Sequence, residues 1–319
     1  MNAPVPSPAD VRAAATRIAA AVQRTPLRRS DKLSDIAGGL VFLKLETEQI
    51  TGSFKLRGAF NALASLSDDE RERGVVASSA GNHGLGVAYA AKALGIRATI
   101  FVPATAPRVK RDGIAALGAT VDASEPDYDT AMVRARRVAL ETNATFVHPC
   151  LGETLLAGQG TVASEIIDEM PDVATVLICV GGGGLLGGMA GLLRAERPDV
   201  RIIGAQTERT NAMAAALDAG HLVEIPSLPT LADGLAGQID DAALAIGRFG
   251  LDDIAVISED EDARAIAWLW REENVKAEGS GAVTVGAILA GRAHGIRFPA
   301  VCVVSGGNID DERFKALID

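Results

Sequence analysis

The sequence is poor in cysteine, histidine and aromatic residues. Its 319 residues include three cysteines and four histidines, and aromatic side chains make up 4% of the chain. Three cysteines cannot all pair, and Cys179 and Cys302 lie in apolar runs typical of strands, so we expect reduced core thiols, Cys150 among them. The histidines are scattered and lack the spacing of a zinc site, so a structural zinc is not expected.

Basic residues are also in deficit. Lysine and arginine number 31 against 41 acidic residues, which gives a formal net charge of -10. A nucleic-acid-binding surface needs clustered basic residues, so we expect no nucleic-acid partner. Residues 1–8 lack the charged and apolar regions of a signal peptide, which predicts a cytoplasmic protein.

One uncharged stretch approaches the length of a membrane span. Residues 173–193 contain no charged side chain, and a bilayer requires ~20 residues. Glycines at 181–184 would break a helix in the middle of this stretch. The segment is therefore predicted to form a strand, a loop and a helix, and no membrane partner is expected.

Apolar, β-branched runs alternate with helical patterns along the chain. The predicted strands are 40–45, 75–77, 98–102, 120–123, 145–147, 174–180, 201–205, 254–257 and 300–304. Helical spacing of apolar residues predicts helices at 9–23, 83–94, 109–117, 128–142, 185–196 and 261–273. Such alternation is typical of the α/β class, in which helices flank parallel sheets.

Two polar breaks predict a division into domains. They lie at 67–73 and at His148-Pro149. We expect residues 67–148 to form a small substrate-binding domain, and residues 1–66 and 149–319 to form a large cofactor-binding domain. The site would lie in the cleft between them, where small molecules usually bind.

A lysine lies among small and aromatic residues at 51–58, directly after an apolar strand. Lys55 follows Phe54 and begins a stretch with helical apolar spacing. Burial disfavours the charged form of a lysine, and the neutral amine condenses with carbonyls, as in enzymes that hold pyridoxal phosphate as a Schiff base. Alone, the motif is weak evidence, because lysines near strand ends are more often surface residues.

Four consecutive glycines, Gly181, Gly182, Gly183 and Gly184, follow a predicted buried strand and begin a helix. Their backbone N–H groups and the helix dipole predict a phosphate site. However, the glycines at 182, 184 and 187 also fit the G-x-G-x-x-G dinucleotide fingerprint, with Glu208 about 20 residues further on. From this loop alone, a nicotinamide cofactor remains an alternative.

Two further polar turns follow predicted strands. Residues 78–84 begin a helix, and their hydroxyl and N–H groups suit a substrate carboxylate, although Ser and Asn are also common helix caps. Residues 305–308 follow the last strand. A hydroxyl there can hydrogen-bond a ring nitrogen without protonating it.

Together these motifs resemble those of the fold-type II pyridoxal phosphate enzymes of the serine/threonine dehydratase and serine racemase family. The matching segments span most of the chain and are 44–46, 51–59, 79–83, 157–161, 181–184, 232–234 and 305–308. The resemblance implies a tryptophan synthase β-like α/β fold, with two parallel-sheet domains and the active site between them.

The resemblance also implies a residue for each part of pyridoxal phosphate. Lys55 would form the Schiff base and then remove the α-proton of the substrate as a general base. The other implied contacts are Phe54 on the pyridine ring, Asn82 on the phenolic oxygen, Ser305 at the pyridine nitrogen, and Gly181, Gly182, Gly183 and Gly184 around the phosphate.

The resemblance also implies which residues contact the substrate. The carboxylate of the amino acid would dock at Ser53, Ser79 and His83, and Gly234 would lie beside the ring. The full set of implied substrate contacts is Ser53, Ser79, Ala80, Gly81, His83 and Gly234.

The implied reaction is loss of water from a 3-hydroxy amino acid, which gives a 2-oxo acid and ammonia. Because a serine is too weak an acid to protonate the ring nitrogen, the cofactor is a modest electron sink, and loss of the β-hydroxyl is favoured. Racemases of the family carry a serine where this chain has Ala80, so a dehydratase is favoured over a racemase. With a chain that ends at Asp319, isoleucine feedback is not expected.

The sequence does not decide whether the protein binds a metal ion. Residues 206–210 lack the spaced carboxylates that bind a divalent ion in the racemase-like members of the family, although Glu208 could still serve as a ligand.

The sequence therefore predicts a pyridoxal phosphate-dependent ammonia-lyase for threonine, serine or phenylserine. Its partner would be this small-molecule substrate, and a homodimer is usual for the family. One alternative is an amino-acid racemase. Another is a nicotinamide-dependent oxidoreductase, which would leave Lys55, Asn82 and Ser305 unexplained. A third is a binding protein that kept the sites but lost turnover.

Overall fold

Two β-sheets organise the chain in the computed structural model, which describes residues 3–106 and 108–318. The strands are β1 (Leu27–Arg29), β2 (Val41–Leu45), β3 (Val75–Ser78), β4 (Ala98–Pro103), β5 (Thr120–Glu125), β6 (Thr145–Phe146), β7 (Thr175–Cys179), β8 (Arg201–Thr207), β9 (Asp253–Ile257) and β10 (Ala300–Val304). Every predicted strand is present, with ends shifted by up to two residues.

The larger sheet has six strands in the order β1-β2-β10-β7-β8-β9. All neighbouring strands are parallel except β1, which pairs with β2 in the antiparallel sense. The sequence did not predict β1, because three residues are too short for an alternating pattern to be recognised. Since β10 lies between β2 and β7, the loops that follow these three strands leave the same edge of the sheet.

The smaller sheet has four parallel strands in the order β5-β4-β3-β6. All four lie within residues 67–148, the range expected for a substrate-binding domain. The apolar cluster beside this sheet also includes Leu56 and Phe60, which precede that range, and Leu155, which follows it. The domain boundaries therefore stay a prediction.

Helices cover the faces of both sheets. They are α1 (Pro8–Ile18), α2 (Asp31–Ala37), α3 (Lys55–Ala64), α4 (Asp68–Arg73), α5 (Asn82–Leu94), α6 (Arg108–Ala116), α7 (Tyr128–Thr142), α8 (Glu153–Glu169), α9 (Gly184–Glu196), α10 (Ala212–Ala219), α11 (Asp241–Gly250), α12 (Glu259–Glu273), α13 (Gly279–Leu289) and α14 (Asp311–Ile318), with 3₁₀ turns at Glu46–Glu48 and Asp233–Leu235.

Each predicted helix is present at its predicted position, but one predicted helix end was wrong. Helix α1 ends at Ile18 and not at residue 23. The sequence also missed α13, in which every residue from Gly279 to Ile288 is buried. A helix that is buried all round has no polar face, so it lacks the amphipathic pattern by which helices are recognised.

A buried ion cluster ties α3 to the strand before it. Arg57 Nε lies 2.8 Å from Glu46 Oε2, and Arg57 Nη1 lies 2.6 Å from Glu165 Oε1. Lys44 Nζ lies 2.6 Å from Glu165 Oε2. The side chains of Arg57, Glu46 and Lys44 are fully buried. Burial opposes the charge on Arg57, but the adjacent carboxylates of Glu46 and Glu165 outweigh it and raise the pKa of the guanidinium.

The uncharged stretch at 173–193 folds as the sequence predicted. It forms β7, the glycine loop and most of α9. Within residues 3–106 and 108–318, the helices are all too short or too polar to cross a bilayer.

Candidate active site

Three predicted site loops meet at one edge of the larger sheet. The lysine loop follows β2, the serine loop follows β10 and the glycine loop follows β7, and these strands are neighbours. Backbone bonds join the first two loops: Phe54 N donates to Ser305 O at 3.1 Å, and Ser53 bridges Gly306. In open parallel sheets, ligands bind at the carboxyl ends of the strands. The edge is therefore the candidate active site.

Lys55 is the first residue of α3 and is half-buried. Its Nζ donates to Pro149 O at 2.8 Å and lies 4.0 Å from Cys150 Sγ. The Nζ also lies 5.2 Å from the centre of the Phe54 ring. The amine therefore faces the segment that connects the smaller sheet to α8.

The glycine loop forms a cradle with little room for side chains at Gly181, Gly182 and Gly184. A Cβ at Gly182 would lie 2.9 Å from Cys150 Sγ, and one at Gly181 would lie 3.0 Å from Leu235 Cα. Gly183 has φ of +81°, which only glycine adopts readily, and no side chain caps the N-terminus of α9. The N–H groups of the first turn are thus free to bind an anion, as a phosphate requires.

Cys150 corrects one expectation from the sequence. It is half-buried, not a core residue, and it lies between Lys55 and Gly182. His148 Nδ1 accepts from the backbone N–H groups of Cys150 and Leu151 at 3.1 Å and 3.0 Å, which fixes this turn. Cys179 and Cys302 are buried as expected, and all three thiols are free.

A second helix N-terminus faces the site from the smaller sheet. Ser79, Ala80 and Gly81 form the half-buried turn between β3 and α5. Ser79 Oγ accepts from Gly81 N at 3.2 Å, and no side chain caps α5, which starts at Asn82. The free N–H groups of this turn suit a carboxylate.

The structure narrows the role expected of His83. Its Nε2 bonds the carbonyl oxygen of Val147 at 3.0 Å and therefore carries the proton. Burial, with a smaller contribution from Lys55, lowers the pKa of His83 to about 3, so the ring is neutral. The remaining Nδ1 can only accept, and a carboxylate would be repelled by it. Docking of a carboxylate at His83 would thus use the backbone N–H.

Asn82 is held by two residues to which the sequence gave no role. Its Nδ2 donates to Glu278 Oε1 at 2.6 Å, and its Oδ1 accepts from Asn308 Nδ2 at 2.7 Å. Burial, followed by the nearby charge of Asp233, raises the pKa of Glu278 to about 7. Asn308 belongs to the quoted serine loop, but Glu278 lies in no recognisable motif.

Buried hydroxyl groups without partners mark the same region. Ser53 Oγ, Ser78 Oγ and Ser280 Oγ make no hydrogen bond within the described residues. A Cβ at Gly234 would lie 2.8 Å from Ser280 Oγ, and Ser305 Oγ donates to Ser280 O at 3.1 Å. Unpaired buried hydroxyls are costly. Together with the glycine cradle and the amine of Lys55, they fit a polar, phosphate-bearing aldehyde.

Comparison with known proteins identifies the family. Residues 18–306 match the family model described as pyridoxal-phosphate dependent enzyme. The chain belongs to this family. It is 42% identical over 312 residues to the L-threonine ammonia-lyase of Thermotoga maritima, covering 97% of this chain and 77% of that protein.

Solved structures agree with the sequence comparison. The chain resembles maize serine racemase with a TM-score of 0.93 and 32% identity, covering 98% of this chain and 96% of that one. It also resembles the processed form of threonine deaminase isoform 2 from Solanum lycopersicum, with a TM-score of 0.89 and 31% identity, covering 99% and 90% of the two chains. The fold-type II assignment is thereby confirmed.

Membership in the pyridoxal-phosphate dependent family decides between the two cofactors that the glycine loop allowed. The cofactor is pyridoxal phosphate, as predicted, and the nicotinamide alternative is wrong. Glu208, which the dinucleotide fingerprint would assign to a ribose, is exposed. The individual contacts of the cofactor and substrate stay predictions, and the arrangement described above is compatible with them except for the side chain of His83.

Gln206 begins the segment 206–210, for which the sequence did not decide whether a metal ion binds. It is fully buried at the end of β8, and its Nε2 donates to Val180 O at 2.8 Å and to Thr210 O at 2.7 Å. Its Oε1 accepts from Ala214 N at 3.0 Å. Among the described residues, no group of three His, Cys, Asp or Glu side chains could hold a metal ion. The amide of Gln206 therefore satisfies both carbonyl oxygens.

Gln206→Glu is expected to make stability depend on an added cation. The carboxylate would face two carbonyl oxygens, and such an unpaired buried group costs about 1–3 kcal/mol. Magnesium, calcium or potassium, which prefer oxygen ligands, should restore the lost thermal stability. Thermal melts with and without chelator and cations measure this.

The matched control for this prediction is Gln238→Glu. Gln238 is exposed, although its Nε2 also donates to a backbone carbonyl oxygen, that of Ile225. This variant and the parent protein should melt at the same temperature with or without cations. A parent protein that loses stability in chelator would contradict the role given to Gln206.

Proposed function

We propose that the protein is an ammonia-lyase that removes water from an L-3-hydroxy amino acid and releases a 2-oxo acid and ammonia. The observation that carries the proposal is the position of the Lys55 amine. Cys150 contacts both this amine and the glycine cradle, and the uncapped N-terminus of α5 lies on the opposite side. The relatedness to an L-threonine ammonia-lyase supports L-threonine as the first substrate to test.

Lys55 is assigned the proton transfer. Bound pyridoxal phosphate supplies an electron sink that acidifies the α-proton of an amino acid joined to it. The Nζ of Lys55 is already held by Pro149 O at 2.8 Å, so it has a fixed position from which to remove that proton. Phe54 precedes it and is buried, with its ring centre 5.2 Å from the Nζ of Lys55.

Ser305 is assigned the position at the ring nitrogen. Its side chain is buried, and its hydroxyl donates to Ser280 O in this structure. A hydroxyl can turn its single proton between acceptors, but it does not protonate a pyridine as a carboxylic acid would. Ser305 would therefore leave the ring nitrogen unprotonated, and bound cofactor would supply only a modest electron sink, which would favour loss of the β-hydroxyl over reprotonation.

The substrate carboxylate is assigned to the turn before α5. Among the described residues, the backbone N–H groups of Ala80, Asn82 and His83 in this turn make no hydrogen bond. They attract an anion through their own dipoles and that of the helix. The unpartnered hydroxyl of Ser53 can donate to the same group. Gly234 closes the other side, where it packs against Ser280.

A serine racemase is the second candidate, because one of the solved structures that the chain resembles is a serine racemase. Racemisation requires a proton donor on each face of the substrate. On the face assigned to residue 80, this chain offers the methyl group of Ala80, which cannot donate. Dehydration is therefore the reaction that the residues favour.

Ala80→Ser is expected to create racemase activity. The new hydroxyl supplies the missing donor, and a positioned acid contributes about 10²- to 10⁴-fold to a proton transfer. D-Serine formation from L-serine should rise by at least about tenfold, as measured by chiral chromatography. Ala104→Ser, at an exposed position after β4, is the control and should form no more D-serine than the parent protein. A parent protein that already racemises serine faster than it dehydrates it would refute the preference for dehydration.

A cytoplasmic location and a homodimeric state are also proposed, on the resemblance and the sequence alone. Cell fractionation and light scattering of the purified protein test them. A monomer that retains full turnover would show that one chain suffices for the site.

The proposed function is tested by turnover on L-threonine, L-serine and L-phenylserine, with 2-oxo acid and ammonia measured together. We expect both products in equal amounts from at least one substrate. Leu235, Ala236 and Gly237, which follow Gly234, are assigned to the side-chain pocket and are apolar or small, so a bulky β-substituent is permitted. A cofactor-loaded protein that releases neither product from any of the three would refute the lyase and leave a racemase or a binding protein.

A further inference from the structure

Three side chains form a chain of hydrogen bonds behind the assigned cofactor contact. Asn308 Nδ2 donates to Thr51 O at 2.8 Å and to Asn82 Oδ1 at 2.7 Å. Asn82 Nδ2 donates in turn to Glu278 Oε1 at 2.6 Å. The chain thus joins the lysine loop, the first residue of α5 and the residue before α13.

The direction of each amide follows from its neighbours. The carbonyl of Thr51 can only accept, so Asn308 must turn its NH₂ group toward it. The second proton of that group needs an acceptor, and Asn82 supplies Oδ1. The NH₂ group of Asn82 then points to Glu278, and the hydrogen bond to Glu278 uses one of the two protons of this NH₂ group. The other proton is left for a ligand.

We propose that Asn308 and Glu278 are positioning residues that fix the amide of Asn82, so that an N–H group faces the phenolic oxygen of bound pyridoxal phosphate. This inference rests on the cofactor contact given to Asn82 under the proposed function. An amide without fixed neighbours can adopt either of two orientations of similar shape. The wrong one would place a carbonyl oxygen against a negatively charged oxygen.

The packing around Glu278 leaves the network little freedom. A Cβ at Gly306 would lie 2.4 Å from Glu278 Oε1 and 3.2 Å from Asn82 Nδ2, so only glycine allows this approach. Glu278 is 6% exposed and cannot exchange Asn82 for bulk water. The charged groups that act on it are Asp233, Lys110 and Lys55, from three different elements. Either protonation state of Glu278 keeps an oxygen that accepts from Asn82.

The dissociation constant of pyridoxal phosphate, measured by absorbance titration of the cofactor-free protein, tests the proposal. Asn308→Asp offers only acceptors, so Asn82 must turn its NH₂ group away from the cofactor. We expect binding to be about 10- to 100-fold weaker, the value of one hydrogen bond to a charged group. Glu278→Leu should give a similar loss, whereas Glu278→Gln, which keeps an acceptor, should bind nearly as the parent does. Asn143→Asp, at an exposed helix end, controls for the added charge.

A double-mutant cycle separates positioning from general damage. In an Asn82→Ala background, Asn308→Asp and Glu278→Leu should cause no further loss of cofactor affinity. Additive losses, or an Asn82→Ala protein that binds as tightly as the parent, would overturn the inference. Thermal melts show whether each variant folds, and if Asn308→Asp does not, the Glu278→Gln and Glu278→Leu pair decides.

Failure of the inference is distinguishable from failure of the proposed function. If the parent protein forms a Schiff base and turns over substrate while these variants bind cofactor normally, only the positioning roles are lost. If the parent protein forms no Schiff base, the proposed function fails, and the positioning roles fail with it.

Discussion

Lys55→Ala is expected to abolish the Schiff-base absorption of the purified protein and to lower lyase turnover by at least about 10³-fold. The variant loses the amine that attaches the cofactor and, with it, the base assigned to the α-proton. Pyridoxal phosphate should still bind weakly, because the glycine cradle and the N-terminus of α9 are unchanged. Absorption spectra and steady-state turnover measure the two effects.

The control for this loss is Lys92→Ala. Lys92 is an exposed residue of α5, far along the chain from the glycine cradle, and its removal should leave both spectrum and turnover as they are. A Lys55→Ala protein that keeps more than a tenth of the parent's turnover would show that another group removes the proton.

Arg57→Met is expected to lower the free energy of unfolding more than Gln206→Glu does. It would leave the carboxylate of Glu46 fully buried, with Thr25 Oγ1 as its one remaining side-chain partner among the described residues. Breaking a buried ion pair in this way costs about 3–5 kcal/mol, because the remaining charge is uncompensated. The free energy of unfolding from denaturant titration measures the loss.

A matched change at the surface shows whether burial is the cause. Arg29 pairs with Asp31 at 2.7 Å, but the two side chains are 56% and 79% exposed. Arg29→Met should therefore change the free energy of unfolding by about 0–1 kcal/mol. Equal losses for the two variants would mean that the buried cluster does not stabilise the fold as described.

The sequence was sufficient to predict the fold and the principal loops of the site. Each predicted loop follows an apolar strand, and in a parallel sheet such loops meet at the carboxyl edge. This rule brings Lys55, Gly182 and Ser305 together although they lie far apart along the chain. Strand order could not be derived from the pattern and appears only in the folded chain.

The remaining features depend on contacts that no local pattern records. Glu278 reaches Asn82 across 196 residues, and nothing in the residues around it distinguishes it from a surface glutamate. Cys150 was predicted to be a core residue, because the sequence gave no sign that the turn after Pro149 faces Lys55. Which ring nitrogen of His83 carries the proton depends on the carbonyl oxygen of Val147, which becomes its neighbour only in the folded chain.

The most direct test of the account is to locate the cofactor on the chain. The purified protein, loaded with pyridoxal phosphate, is reduced with borohydride and digested, and the modified peptide is found by mass spectrometry. We expect one pyridoxyl group, attached to Lys55. A group on another lysine, or no stable adduct from a protein that turns over threonine, would contradict it.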